Sequence, residues 1–262
     1  MAERNLVYDA LVLRAKDVPS GSRVVTFLSA EAGILDAFVF GGPKSKLRSA
    51  ASPWSSGRVF LYHDPLRDYL KVSDFEVAEA FSGLRDGLRR IMSASLVGEL
   101  LIKTSGGGGD FPEVLGIARD TLAALETLPE GRTDYPLLLF IWRLVGVIGL
   151  LPDLGACVLC ERELGPAEPR LWLRNEGGFA CPRCRPETGG LGPRDGGFAE
   201  APRLSAGALR WLERAESLPF AQAFEVGLDG ASLAGLRRLA FALALEAADG
   251  PLETLRSGAG IL

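Results

Sequence analysis

Four cysteines carry the clearest chemistry in the sequence. Cys157 and Cys160 are separated by two residues, as are Cys181 and Cys184, and twenty residues lie between the pairs. A two-residue gap lets both thiolates of a pair face one ion. Two such pairs supply the closed tetrahedral sulfur shell that Zn2+ takes in structural sites. The spacing predicts one structural zinc held by Cys157, Cys160, Cys181 and Cys184. Two disulfides would need an oxidising compartment. A single redox pair would leave the other pair without a role. A catalytic zinc needs an open coordination position, and four thiolates leave none.

A second group of residues could meet phosphates. Lys44, Lys46 and Arg48 fall in the loop Gly41 to Ser49, and no acidic residue occurs from Ala37 to Leu61. Arg58 lies in the same acid-free window. Glycine lets a backbone approach a phosphate, and the cations would neutralise it. A solvated surface loop has the same composition, and charge alone does not separate the two. The whole chain is acidic, with net charge −4 and a pI of about 5.3. Residues 1–80 hold ten basic and ten acidic residues, so the negative excess lies beyond them. A nucleic-acid role must therefore rest on local charge.

Signals for catalysis are weak. Gly42-Pro43-Lys44-Ser45 looks like the end of a phosphate-binding loop, but Pro43 and Phe38 stand where that motif needs glycine. The run Gly106 to Gly109 follows no strand pattern and lacks dinucleotide-loop spacing. His63 is the sole histidine, and the cysteines are committed to metal, so a Cys–His pair is not expected. The expectation is a protein that is not an enzyme and takes no small-molecule substrate.

These residues need elements to position them. Residues 7–13, 23–28, 33–40, 57–63 and 69–75 are rich in β-branched and aromatic side chains and bounded by Gly, Pro, Ser and Asp, which predicts five short strands. Five strands in so short a span suit an OB-type barrel, whose face and loops can bind oligonucleotides. From Phe81 the period becomes helical: Leu84, Leu88, Ile91, Met92, Leu96, Leu100 and Leu101 recur mostly at three and four. Asp110 with Glu113 has the form of a capping box, and Asp134 is placed as the cap of a third helix. The apolar run Pro136 to Leu151 is sixteen residues long with Arg143 near its middle, too short to span a bilayer. Leu171-Trp172-Leu173 and Phe179 flank Glu176-Gly177-Gly178, the pattern of a hairpin that returns the chain to the second cysteine pair. Two more helices are expected at about 205–218 and 232–248. No basic n-region precedes an apolar core at the N-terminus, so a cytoplasmic protein without a signal peptide is expected.

The expected fold class is α+β and multi-domain. An N-terminal OB-type β-barrel covers 1–80 and an α-helical bundle covers 81–151 and 203–262. A four-cysteine zinc hairpin module, 152–190, is inserted between helices.

Several strings resemble the RecO family of bacterial DNA repair proteins. Gly149-Leu150-Leu151-Pro152-Asp153-Leu154 running into Cys157 and Cys160 is similar to the family's turn before its first cysteine pair. Glu176 to Cys181 resembles its hairpin before the second pair. Ala10 to Arg14, Arg23 to Leu28, Gly41 to Arg48 and Pro53-Trp54 resemble its first strands, basic loop and Pro-aromatic pair. The likeness covers about residues 5–185. One departure is that Gly42 and Pro43 occupy places where the family often has a basic residue.

The resemblance implies a recombination mediator located in the cytoplasm at the nucleoid. Such a protein binds single- and double-stranded DNA and anneals complementary strands. It works with RecR, contacts the C-terminal tail of the single-stranded DNA-binding protein (SSB), and helps load RecA. Lys44, Lys46, Arg48, Arg14 and Arg23 are the candidate DNA contacts. Tyr8, Phe38 and Phe40 could stack on bases, although barrel core is the stronger expectation for all three. Arg143 could receive the acidic SSB tail, or serve as an internal partner. Two other classes compete: a protein-interaction adaptor with little DNA affinity, and, further off, a zinc or thiol-redox enzyme.

Overall fold

A computed structural model describes residues 4–19, 21–42, 44–184, 202–223 and 227–262. The chain divides into two compact units, Met1–Thr133 with Leu252–Leu262, and Asp134–Pro251.

The first unit is built on a closed five-stranded barrel. Its strands are β1 (Asn5–Asp17), β2 (Arg23–Ser29), β3 (Gly33–Val39), β4 (Ser56–Asp64) and β5 (Tyr69–Glu79), in the order β1-β2-β3-β5-β4. Closure depends on β1, which is long and irregular. Its first half pairs with β4 and its second half with β2, with a register shift between Val12 and Arg14. The only parallel pairing among the described strands, β3 with β5, closes the far side. Alternation sends Ala10, Val12, Val25, Phe27, Ala37, Val39, Val59, Leu61, Val72 and Phe75 inward. Phe27 and Phe75 meet edge to face at 5.9 Å between centroids. Gly57, at φ 158°, must be glycine because an added Cβ would lie 2.1 Å from the Glu76 carbonyl oxygen of β5.

Helices follow or interrupt the strands of this unit. Helix α1 (Lys46–Ala50) lies between β3 and β4, so Lys46 and Arg48 stand on a helical turn rather than in the loop expected from sequence. Helices α2 (Leu88–Lys103) and α3 (Phe111–Thr127) pack on the outside of the barrel. Asp110 accepts from the Glu113 N–H and so caps α3. Arg119 of α3 donates to both carboxylate oxygens of Asp9, at 2.7 and 2.5 Å, and to the Ser56 hydroxyl at 2.6 Å. Leu88, expected in the buried stripe, is the first residue of α2 and is 58% exposed.

In the second unit, α4 (Asp134–Val147) is apolar on every side and packs against α7 (Gly230–Ala247). Asp134 is the first residue of α4 and does not precede it. Among the described residues no helix is long and apolar enough to cross a membrane. Helices α5 (Ala206–Ser217) and α6 (Phe220–Ala223) follow the cysteine region, and α8 (Glu253–Ser257) returns to the first unit. Ser205 and Asp229 cap α5 and α7. Strands β6 (Arg170–Leu173) and β7 (Gly178–Ala180) form the expected hairpin. A third strand, β8 (Arg203–Leu204), pairs with the other edge of β6. A strand of two residues is too short to leave an alternating pattern in the sequence. The Gly- and Pro-rich stretch 186–202, a linker by its composition, lies almost wholly outside the described residues.

Candidate metal centre and nucleic-acid interface

The cysteine module is built from two turns held on a three-stranded sheet. In the first turn the Glu161 N–H donates to the Cys157 carbonyl at 2.8 Å. In the second the Cys184 N–H donates to the Cys181 carbonyl at 3.1 Å. Glu161, at φ 57°, turns the chain sharply after the first pair. Gly177, at φ 60°, closes the β6–β7 turn, where a left-handed residue is required. That hairpin carries the turns on a miniature core of Trp172 and Phe179, which pack at 5.1 Å and are 3% and 0% exposed.

All four cysteine sulfurs lie within 4.8 Å of one another, and none is in a disulfide. Sulfurs placed 2.3 Å from a tetrahedral zinc stand ~3.8 Å apart, so a contraction of at most ~1 Å would fill the shell. The donor set and geometry therefore fit a metal ion. Backbone groups favour ionised sulfur: the Cys181 N–H donates to Cys157 Sγ at 3.3 Å. Burial raises the Cys181 thiol, but the Arg162 guanidinium and the N–H groups of the Cys184 turn outweigh it and bring it down to about 6. Hydrogen bonds with the neighbouring Cys160 and Cys181 sulfurs, with burial, push Cys184 up to about 12. Without a metal the Cys184 thiol holds on to its proton, and a divalent ion bound by the four sulfurs would displace it.

Two arginines support the module. Arg162 binds Glu168 at 2.5 Å as well as reaching Cys181, and it holds the Glu168 carboxyl below its usual range. Arg170 is buried and donates to the carbonyls of Leu154, Leu164 and Gly165, tying the Leu-Pro-Asp-Leu turn to the hairpin. Sequence reasoning missed both. Nothing in the spacing of Arg162 or Arg170 distinguishes it from a surface arginine.

On the barrel, the candidate cations separate into two groups. Arg48 is buried. It donates to the carbonyls of Gly21 and Gly41 at 3.1 and 3.2 Å and to the Asp17 carboxylate at 2.6 Å. Arg23 binds the same carboxylate at 2.8 Å and also donates to the Arg48 carbonyl. Through Arg23, then Arg48, the Asp17 carboxyl is held below its ordinary value. These two arginines fasten α1 and the β1–β2 turn to the end of β3. Lys44 and Lys46 are exposed, and so is Arg14, which reaches Thr26 Oγ1 at 3.5 Å. The part played by Asp17 is not visible in the sequence, because a partner distant along the chain leaves no local mark.

The aromatic candidates also separate. Tyr8 packs against the barrel core, as expected. Phe38 and Phe40 do not line it: Ala37 and Val39 do, so their neighbours project from the opposite face.

In the second unit, Arg143 donates through one nitrogen to the carbonyls of Ala215 and Leu218, at 2.9 and 2.7 Å. Its guanidinium lies 5.3 Å from the Phe220 ring centroid. It therefore caps the end of α5, the internal role weighed against an SSB contact.

The family models for Recombination protein O N terminal and Recombination protein O C terminal match residues 1–81 and 85–242. The DNA repair protein RecO of Anaeromyxobacter sp. (strain Fw109-5) is 30% identical over 239 residues, covering 89% of this chain and 84% of that relative. The RecO of Pelotomaculum thermopropionicum is 31% identical over 178 residues, 67% of each chain. That of Solidesulfovibrio magneticus is 30% identical over 200 residues, covering 75% of this chain and 80% of its own.

Proposed function

The chain belongs to the RecO family and so to DNA repair and recombination, and on that premise we propose that it is a non-enzymatic recombination mediator. It binds single- and double-stranded DNA through the barrel and anneals complementary strands. With RecR it helps load RecA on SSB-coated DNA, in the cytoplasm at the nucleoid. The observation that carries this reading is the exposure of Lys44, Lys46 and Arg14 on an OB-type barrel whose neighbouring acid, Asp17, is already taken up by Arg23 and Arg48. Annealing needs cations that screen two backbones and leaves bases free to pair, and it consumes no nucleotide. The cysteine cluster holds one Zn2+ by Cys157, Cys160, Cys181 and Cys184. A bound zinc would lock both turns to the hairpin and supply no reactive position.

Arg23 and Arg48 act on DNA indirectly in this proposal, by presenting the lysine-bearing turn. For the SSB tail Arg143 remains the candidate, but an acidic peptide would compete there with the Ala215 and Leu218 carbonyls. The burial of Arg48 also favours a second reading, an adaptor with little intrinsic DNA affinity. Strand binding and annealing by the full-length protein, measured with and without RecR, decide between them. Annealing above the spontaneous rate is expected. No binding and no annealing in either condition would leave the adaptor.

A further inference from the structure

The barrel surface beyond the basic turn holds a cluster the charge pattern does not reveal. Phe38 and Phe40 stack with centroids 6.1 Å apart and planes at 21°. Tyr69, at the start of β5, meets Phe38 edge-on at 5.3 Å and Phe40 at 6.5 Å. Lys71 Nζ sits 5.6 Å from the Phe40 centroid, and Phe40 is 44% exposed. Strand pairing places Lys16, Val24, Phe38, Lys71 and Tyr62 opposite one another in one row across the barrel. Leu70 and Val72 face the core, so Tyr69 and Lys71 face outward with the two phenylalanines.

A barrel gains nothing in core packing from three rings on its outside. Rings with exposed faces and flanking cations match unpaired nucleotides, which offer a stacking surface and a phosphate at each step. Chain continuity supplies further charge: Gly41 follows Phe40 directly, and the Ser45 N–H donates to the Gly42 carbonyl, so Lys44 stays within a few residues of the rings. Asp36, on the same side of β3, accepts from Thr26 at 2.5 Å. We propose that Phe38, Phe40 and Tyr69, rimmed by Lys71 and Lys16, form a stacking platform for the bases of single-stranded DNA. The proposal rests on the DNA-binding reading above and sharpens it. The lysines hold backbone of either kind, and the rings prefer strands whose bases are unpaired.

The test compares an oligothymidylate with an abasic strand of equal length, using the full chain. Wild type should bind the base-bearing strand more tightly. Phe40→Ala should lose roughly five- to a hundred-fold on that strand, change little on the abasic one and keep its salt dependence. Phe40→Leu, which retains an apolar cover, should melt like wild type and lose the same preference. Wild-type binding that ignores the bases would overturn the platform and leave the DNA reading standing. So would a Phe40→Ala protein with the wild-type preference. If that variant loses RecR while keeping base-dependent binding, the rings are a protein-docking face and the proposal fails. No DNA binding by wild type would remove both readings together.

Discussion

The cysteine module and the outer face of the barrel use similar parts in opposite directions. Each is a small sheet surface stiffened by an arginine that spans carbonyls from separate segments, Arg170 between Leu154 and Gly165 in one and Arg48 between Gly21 and Gly41 in the other. In the module the four sulfurs face a common centre: Cys157 and Cys181 are 1% and 0% exposed, while Cys184 is partly buried and Cys160 exposed. On the barrel Arg23 and Arg48 are taken up internally, and Arg14, Lys44, Lys46, Phe40 and Lys71 are left facing solvent. A surface that closes on an ion serves stability. A surface that keeps its cations and rings outside can serve a macromolecule.

If that contrast is right, the largest effect comes from opening the closed site. Cys181→Ser should lose the bound ion and lower the melting temperature by many degrees, because a structural metal contributes on the order of 10 kcal/mol of binding free energy to the folded form. DNA affinity at a permissive temperature should stay within about two-fold. Metal analysis of reduced wild-type protein should return one zinc per chain, and acid should release it, since protons compete for the thiolates. A variant that keeps its melting temperature but loses DNA would make the module a reader and reverse the comparison.

Next comes the staple under the open site. Arg48→Ala leaves the Gly21 and Gly41 carbonyls without their donor and Asp17 with Arg23 alone, and denaturant unfolding should show a loss of roughly 1–3 kcal/mol. Rescue of stability by Arg48→Lys should be incomplete, because one ammonium cannot reproduce the planar fork. If Arg48→Ala is as stable as wild type, the ion pair with Asp17 is incidental.

The smallest effect is one of pH. The Asp9 carboxyl is lowered by its hydrogen bonds with Arg119, against a smaller opposing effect of burial. A depressed folded value contributes stability that is fully present above the unfolded value, 3.8, and is lost as pH falls through the lower folded one. Stability of the barrel unit should therefore hold at mildly acidic pH and fall below about pH 4. Asp9→Asn should flatten that fall while lowering stability at neutral pH by under about 1 kcal/mol, since the pair is half exposed. A profile identical to wild type would show that the Arg119 pair does not fasten α3.

How legible each region is in the sequence follows from the same physics. Two cysteines two residues apart converge through a local turn, so Cys157, Cys160, Cys181 and Cys184 announce their own geometry. The strands are legible because β-branched alternation and Gly-Pro punctuation are local too. Arg48 and Lys46 differ by only two positions, yet one is buried and the other exposed. That outcome depends on Asp17, far away in sequence and brought close by β1. Phe38 and Phe40 read as core from sequence because aromatic residues usually are; the side of the strand they occupy is set by register. The helical period of α2 marks a buried face without naming what covers it, which is α3, α8 and β1 of the barrel; α4 is apolar nearly all round, and its sequence does not name α7 as its neighbour.

The most direct test of the open surface is a salt titration of single-stranded DNA binding by wild type and by Lys44→Ala/Lys46→Ala. Each lost phosphate contact removes about 0.7 from the slope of log K against log salt. The double variant should show a slope shallower by roughly 1.4 on that rule, with melting unchanged. A slope and affinity equal to wild type would contradict the account and move the DNA contact away from the basic turn.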